Sequence, residues 1–176
     1  MIEHVEHARR LVPSLPETGI GVDLGSGGGV PGLILAADRP GMSWVFVESN
    51  LRRTSWLQEA LEWVGLGNVT IRNERAEDTG RSELRGRAAV VTARSFAAPA
   101  ITAECAAPLL APGGALWVSE PPVPPSDRWP ATGLGELGLR AEPDSGAQSW
   151  ASFVAERPCP DRYPRRVGIP AKRPLF

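Results

Sequence analysis

A cluster of glycines lies between two short apolar runs near the start of the chain. The segment is Asp23-Leu24-Gly25-Ser26-Gly27-Gly28-Gly29-Val30-Pro31-Gly32. Glycines let the backbone approach a ligand closely, and the free N–H groups at the start of a following helix favour negative charge. We therefore predict a small-molecule site at this loop, with Ser26 and Gly27 among its residues.

Two carboxylates flank the loop and help to choose between ligands. Residues 27–32 also match the G-x-G-x-x-G pattern of dinucleotide-binding proteins, which by itself is weak. Asp23 would repel a pyrophosphate but suits a ligand carrying an ammonium and a sulfonium, and Glu48 can accept hydrogen bonds from both ribose hydroxyls. The order and spacing favour S-adenosylmethionine over a dinucleotide, and over a tight turn with two merely solvated carboxylates.

Short apolar runs alternate with helical spacing from residue 19 onward, which is typical of a mostly parallel sheet with helices on both faces. Leu57, Leu61 and Val64 recur at helical spacing, and Gly65 is a natural end to that helix. The predicted strands are 19–24, 44–48, 69–71, 88–94 and 115–119. The other predicted helices are about 3–12, 31–38 and 99–110.

The second half of the chain contains a proline-rich stretch and two further candidate strands. Five prolines between residues 121 and 130 exclude a regular helix or central strand, so a loop is predicted there. Residues 137–142 and 150–156 are predicted to pair as an antiparallel hairpin at the sheet edge, with its turn at 143–146.

Length, composition and charge limit the classes of protein to which the chain can belong. The chain has 176 residues, 42% hydrophobic content and a net charge of −1, so we expect one domain over 1–176 and a monomer. The acids near the N-terminus and the lack of a long apolar run predict a cytoplasmic protein rather than a membrane protein. Cys105 and Cys159 lie outside any metal or disulfide spacing, and His4 and His7 are expected to face solvent, so no metal site is predicted.

Basic residues are concentrated in a predicted tail over 161–176, where they outnumber acids five to one. Such a segment could bind RNA phosphates or could simply be solvated, and its regular Pro and Gly residues favour a defined extended path. We expect its deletion to weaken RNA binding and to spare cofactor binding. The candidate RNA-binding residues are Arg162, Arg165, Arg166, Lys172 and Arg173.

Several segments together resemble the bacterial 16S ribosomal RNA guanine-N7 methyltransferases, the glucose-inhibited division protein B family. The glycine loop resembles the family's cofactor motif, and Glu48-Ser49-Asn50-Leu51-Arg52-Arg53 resembles the segment after its second strand. Three further segments are similar to family motifs: Arg75-Ala76-Glu77-Asp78, Thr92-Ala93-Arg94-Ser95-Phe96-Ala97, and the tail from Tyr163 to Pro174.

The resemblance implies a class I, Rossmann-like methyltransferase fold and S-adenosylmethionine as the donor. It implies that Gly25 and Val30 contact the donor in the loop, that Ala76 and Glu77 lie at the adenine, and that Arg94 lies beside the transferring methyl group. Asp23, Ser26, Gly27, Glu48 and Ser49 complete the predicted cofactor set. Without the resemblance, Arg94 could equally form a salt bridge at the end of a strand.

The implied acceptor is a guanine in small-subunit ribosomal RNA. N7 of guanine has a lone pair and no proton, so alignment and electrostatics are sufficient and no general base is needed. Ser119-Glu120-Pro121 departs from the family, which tends to have a lysine followed by glycine there, and an acid at this point would oppose RNA phosphates. A small-molecule methyltransferase and a non-catalytic cofactor-binding protein are the alternatives.

Overall fold

A computed structural model describes residues 2–143, 147 and 149–176. Seven strands of this part of the chain form one sheet. In chain order they are Gly19–Leu24 (β1), Met42–Val47 (β2), Val69–Arg72 (β3), Ala88–Ala93 (β4), Leu110–Ser119 (β5), Leu139–Glu142 (β6) and Trp150–Ala155 (β7). The helices are Ile2–Arg9 (α1), Gly32–Asp38 (α2), Leu51–Val64 (α3), Ala76–Thr79 (α4), Pro99–Ala106 (α5), Ala131–Glu136 (α6) and Ile169–Lys172 (α7).

The strand order is β3-β2-β1-β4-β5-β7-β6, and β1 to β5 run parallel while β7 runs antiparallel to both of its neighbours. This confirms the mostly parallel α/β sheet and the antiparallel hairpin at its edge. Residues 144–146 of the predicted hairpin turn lie outside the described residues. Because β1, β2 and β4 are adjacent and parallel, the loops that follow them meet at one edge of the sheet.

The sheet is buried on both faces, which explains why its strands are continuous apolar runs. In β2, Trp44 and Phe46 pack with buried residues of α2 and α3, whereas Val45 and Val47 pack with residues of α4 and α5 on the opposite face. Full burial of each such large side chain contributes roughly 1.5–3 kcal/mol. None of the described helices is long and apolar enough to cross a membrane.

Several predicted element boundaries differ from the structure. The first helix ends at Arg9 and is followed by a 3-10 turn at Val12–Ser14, and α5 ends at Ala106. β5 begins at Leu110, which pairs with Ala88 before the strand bulges. The pattern analysis missed α6, because two glycines within six residues weaken the helical signal.

His7 does not face solvent, contrary to the prediction. Its ring lies 4.7 Å from the ring of Trp150, and its backbone carbonyl accepts a hydrogen bond from Trp150 Nε1 at 3.1 Å. Burial, followed by the positive charge of Arg94, lowers the pKa of His7. The helix α1 is thereby attached to the antiparallel side of the sheet.

Candidate functional site

The glycine loop connects β1 to α2 and is attached to the end of β2. The backbone N–H groups of Gly25 and Ser26 both donate to the carbonyl of Val47, at 2.8 and 3.2 Å. Ser26 Oγ donates to the carbonyl of Asp23 at 2.9 Å. These bonds hold the loop at the edge where the parallel strands end.

Gly25 meets two conditions that exclude a side chain. Its φ of +67° lies in the left-handed region, and a Cβ atom would stand 2.7 Å from Cδ2 of Phe96. Both the backbone conformation and the close approach of Phe96 therefore require glycine. Gly28 in the same loop has open space where its Cβ would lie.

Asp23 lies beneath the loop and is almost completely buried. Its Oδ1 accepts a hydrogen bond from Thr92 Oγ1 at 2.7 Å, and its Oδ2 has no hydrogen-bond partner among the described residues. Burial raises the pKa of Asp23 to about 6, although the hydrogen bond from Thr92 acts in the opposite direction. Asp23 therefore supports the loop from below with a carboxylate that is costly to ionise.

Glu48 follows β2 and is 5% exposed. Its Oε2 accepts from the Gly27 N–H at 3.1 Å, its Oε1 accepts from the Asn50 N–H at 2.8 Å, and Arg53 Nη1 lies 3.7 Å from Oε2. A carboxylate has about four acceptor positions. The two oxygens therefore retain the capacity to accept hydroxyl groups from a ligand.

A cavity of about 370 Å³ opens beside these residues. Its volume lies in the range of roughly 300–1,000 Å³ typical of small-molecule sites. Five predicted cofactor residues line it: Gly25, Glu48, Ser49, Ala76 and Glu77. Five others, Asp23, Ser26, Gly27, Val30 and Arg94, are not among the described residues that line it.

The cavity also has lining residues that pattern analysis did not assign to it. Val167, Gly168 and Ala171 come from the predicted tail. We call residues 159–173 the C-terminal strap, because this segment crosses one side of the cavity. Glu77 Oε1 accepts a hydrogen bond from the Gly168 N–H at 2.9 Å, which attaches the strap to α4. Deleting the tail would therefore remove cavity wall as well as positive charge.

Arg165 is corrected as an RNA-binding residue. Its Nη2 lies 2.6 Å from Glu104 Oε2, and the side chain of Glu104 is fully buried. Two nitrogens of its guanidinium bind this carboxylate, so its charge is neutralised by Glu104 and is not presented to a phosphate. The other four basic residues, Arg162, Arg166, Lys172 and Arg173, are exposed.

Arg94 lies at the end of β4 and contacts α1. Its Nη2 is 2.7 Å from His4 Nδ1. The three residues that follow Arg94 line the cavity, whereas its own guanidinium is held on the α1 side. A role beside the methyl group would therefore require Arg94 to leave His4.

Glu120 does not present an unpaired charge to RNA, which corrects the expectation from the sequence. Its Oε2 lies 2.8 Å from Arg128 Nε, and its Oε1 accepts from Trp129 Nε1 at 2.9 Å. The side chain of Glu120 is 8% exposed. Its charge is neutralised within the proline-rich loop.

The thiols are unreactive in this fold. Burial raises the pKa of Cys105, which lines the cavity, and raises the pKa of Cys159 to about 11. Both therefore stay protonated at neutral pH, which excludes a thiolate nucleophile. Within residues 2–143, 147 and 149–176, no cluster of His, Cys, Asp and Glu side chains could hold a metal ion.

Comparison with known proteins decides the family. The model of the GidB family, described as rRNA small subunit methyltransferase G, matches residues 1–119. The chain belongs to this family. A ribosomal RNA small subunit methyltransferase G from Syntrophomonas wolfei is 37% identical over 186 residues, covering 98% of this chain and 85% of the relative. One from Rubrobacter xylanophilus is 33% identical over 190 residues, covering 99% and 73%.

Solved structures show the same class I, Rossmann-like fold. The aminoglycoside resistance methyltransferase NpmB1 aligns with a TM-score of 0.60 at 19% identity, covering 78% of this chain and 87% of that protein. A SAM-dependent methyltransferase from Aquifex aeolicus aligns with a TM-score of 0.60 at 12% identity, covering 84% and 88%. As a member of the rRNA small subunit methyltransferase G family, the chain is an S-adenosylmethionine-dependent methyltransferase.

Proposed function

We propose that this protein transfers a methyl group from S-adenosylmethionine to N7 of a guanine in 16S ribosomal RNA, acting as a cytoplasmic monomer. The observation that carries the proposal is the similarity over nearly the whole chain to relatives named ribosomal RNA small subunit methyltransferase G. One ground for a small-molecule acceptor was an acidic Glu120, and that carboxylate is paired with Arg128.

The cavity residues suit the parts of the donor. Glu48 accepts the ribose hydroxyls, Ala76 and Glu77 flank the adenine, and the backbone of Gly25 borders the methionine part. The fit is supported by Glu48, which lines the cavity with acceptor capacity left on both oxygens, and by the buried, unpartnered Oδ2 of Asp23 below the loop. Ser26, Gly27 and Val30 shape the loop from behind the cavity wall.

The chemistry makes modest demands on the protein. The bound donor supplies a methyl group on a positively charged sulfur. Guanine N7 attacks it directly, so the protein needs to align the two partners and exclude competing nucleophiles. This agrees with a cavity whose one lining thiol, Cys105, stays protonated. Arg94 is the candidate for stabilising the acceptor, once it exchanges His4 for the RNA.

The RNA is proposed to approach along the exposed cations of the strap, Arg162, Arg166, Lys172 and Arg173. These side chains lie close in sequence to Val167, Gly168 and Ala171, which line the cavity. Phosphate contacts position a nucleic acid without reading its sequence. The four cations would therefore set the orientation of the RNA relative to the methyl donor.

The test is methyl transfer from labelled S-adenosylmethionine to small ribosomal subunits taken from cells that lack this modification. We expect label in 16S RNA and a single new 7-methylguanosine, detected by mass spectrometry of nuclease digests. The Gly25→Ala variant serves as the control for contaminating activity. Absence of transfer to RNA, or transfer to a guanine atom other than N7, would contradict the proposal.

A further inference from the structure

The C-terminal strap forms one side of the cavity although it lies far from the glycine loop in sequence. Three of its residues, Val167, Gly168 and Ala171, line the cavity together with Gly25, which follows β1, and Val47 of β2. Most of this segment lies outside regular helices and strands, so side-chain contacts must hold it in place if it is to line a cavity.

An ion pair between Arg165 and a buried carboxylate supplies part of that attachment. Glu104 on α5 is fully buried, and its Oε1 accepts from the backbone N–H and from Nε of Arg165, each at 2.8 Å. Its Oε2 accepts from Arg165 Nη2 at 2.6 Å, and the same Nη2 donates to the carbonyl of Arg173 at 2.7 Å. Glu104 thus binds the strap at Arg165, which precedes the lining residues. Arg165 in turn binds the carbonyl of Arg173, which follows them.

Two arginines between α4 and β4 attach the beginning of the strap. Arg85 donates to the carbonyls of Tyr163 at 2.7 Å and Cys159 at 2.9 Å. Arg81 Nη2 donates to the carbonyl of Pro164 at 2.6 Å. These contacts are made to backbone atoms, so they hold the path of the strap whatever its side chains are.

We propose that Glu104 is a positioning residue for S-adenosylmethionine and acts through Arg165 without touching the cofactor. Glu104 is not among the described residues that line the cavity, whereas the neighbouring Cys105 is. The ion pair sets where Val167 and Gly168 stand. The inference rests on the proposed location of the cofactor in this cavity.

An ion pair fixes the position of the lining residues better than an apolar contact would. Buried pairs are weak contributors to stability, because desolvation offsets most of their attraction, but they fix one geometry when all their donors and acceptors are matched. Glu104 matches three donors of Arg165 at once. A slipped strap would leave the buried carboxylate unpaired, so the register of the lining residues is strongly specified.

The test compares two acidic residues that each pair with an arginine. In Glu104→Ala we expect the dissociation constant of S-adenosylmethionine, measured by calorimetry well below the melting temperature, to rise by about tenfold or more. KM for the donor should rise while kcat changes little, because no reacting atom is touched. Glu156→Ala removes the partner of Arg140 at the far edge of the sheet and should leave the dissociation constant unchanged.

A second pair of measurements covers the case in which Glu104→Ala does not fold. The double variant Glu104→Gln/Arg165→Met removes both charges and retains an acceptor for the backbone N–H of residue 165. We expect the same rise in the dissociation constant of S-adenosylmethionine. In the wild type, bound S-adenosylmethionine should slow tryptic cleavage after Arg166 and after Lys172, because a ligand that needs the strap in place disfavours its opening.

The outcomes separate this inference from the proposed function. If Glu48→Ala weakens donor binding but both Glu104 variants match the wild type, Glu104 has no positioning role. If donor binding also survives Glu48→Ala, the proposed cofactor location is wrong and the inference is overturned with it. Tryptic cleavage of the strap at the same rate with and without donor would likewise overturn it.

Discussion

Thr92 Oγ1 donates a 2.7 Å hydrogen bond to Asp23 Oδ1 and joins two neighbouring strands directly below the glycine loop. The two residues are register partners in β4 and β1. Because burial raises the pKa of Asp23 to about 6, the folded protein holds a proton there more tightly than the unfolded chain does. The ionised carboxylate therefore costs stability at neutral pH.

Asp23→Asn should remove a pH dependence from the free energy of unfolding. The contribution of Asp23 is present below its unfolded pKa of 3.8 and is lost as pH rises through about 6. Relative to the wild type, the variant should gain about 2 kcal/mol between pH 4 and pH 7. Urea unfolding at a series of pH values measures this difference, and Asp127→Asn at an exposed carboxylate is the matched control. If the difference in unfolding free energy between the variant and the wild type does not change with pH, the pKa of Asp23 is not raised in the folded protein.

Gly25→Ala and Gly28→Ala form a matched pair within one loop. The first places a Cβ at a φ of +67° and 2.7 Å from Phe96 Cδ2, while the second places it in open space. We expect Gly25→Ala to lose about tenfold or more in donor affinity, since the loop or Phe96 must move, and Gly28→Ala to stay near the wild type. Calorimetric titration with S-adenosylhomocysteine checks both. Equal affinities for the two variants would rule out the described loop geometry.

Glu48→Ala should weaken donor binding by roughly 1–3 kcal/mol, because the ribose hydroxyls lose a charged acceptor. Glu48→Gln keeps the shape and one acceptor oxygen, so a smaller loss is expected. Dissociation constants for S-adenosylhomocysteine and for NADH in the same buffer provide the measurement. Unchanged donor affinity in Glu48→Ala would remove Glu48 from the proposed ribose contact. Binding of NADH without binding of S-adenosylhomocysteine would contradict the choice of cofactor.

Neutralising the exposed strap cations should weaken RNA binding and flatten its salt dependence. The variant changes Arg162, Arg166, Lys172 and Arg173 to alanine and keeps Arg165, so the strap stays attached. The slope of log affinity against log salt should fall by up to about 0.7 for each lost phosphate contact. Arg87→Ala is the control, because Arg87 lies just before β4, at the end of that strand away from the cavity. A slope equal to that of the wild type would exclude the strap as the RNA surface.

The sequence pattern predicted the parts of the site that depend on neighbouring residues. Gly25 and Glu48 each lie directly after a strand, and parallel strands bring such positions together whatever the loops do. The continuous apolar run from Trp44 to Val47 was likewise sufficient to identify a buried strand. By contrast, α6 contains Gly133 and Gly135, and its short helix forms because Leu134 is buried against the sheet.

The partner of Arg165 could not be predicted from the sequence because the contacts of the strap are long-range. Arg165 looks like any other cation of a basic tail, and its partner Glu104 is 61 residues away. Similarly, the bond from Gly168 to Glu77 spans 91 residues. Local composition reports the charge of such a segment, but it does not report which buried acid the chain folds back onto.

The chain contains a single tyrosine, Tyr163, and it lies in the C-terminal strap. Its ring is buried, and its hydroxyl donates to Glu136 Oε2 at 2.9 Å. Every tyrosine signal in the ultraviolet spectrum therefore originates from the segment that borders the cavity. The rate of nitration of this one phenol would report opening of the strap, and comparing the rates with and without ligand would show whether the ligand holds the cavity wall closed.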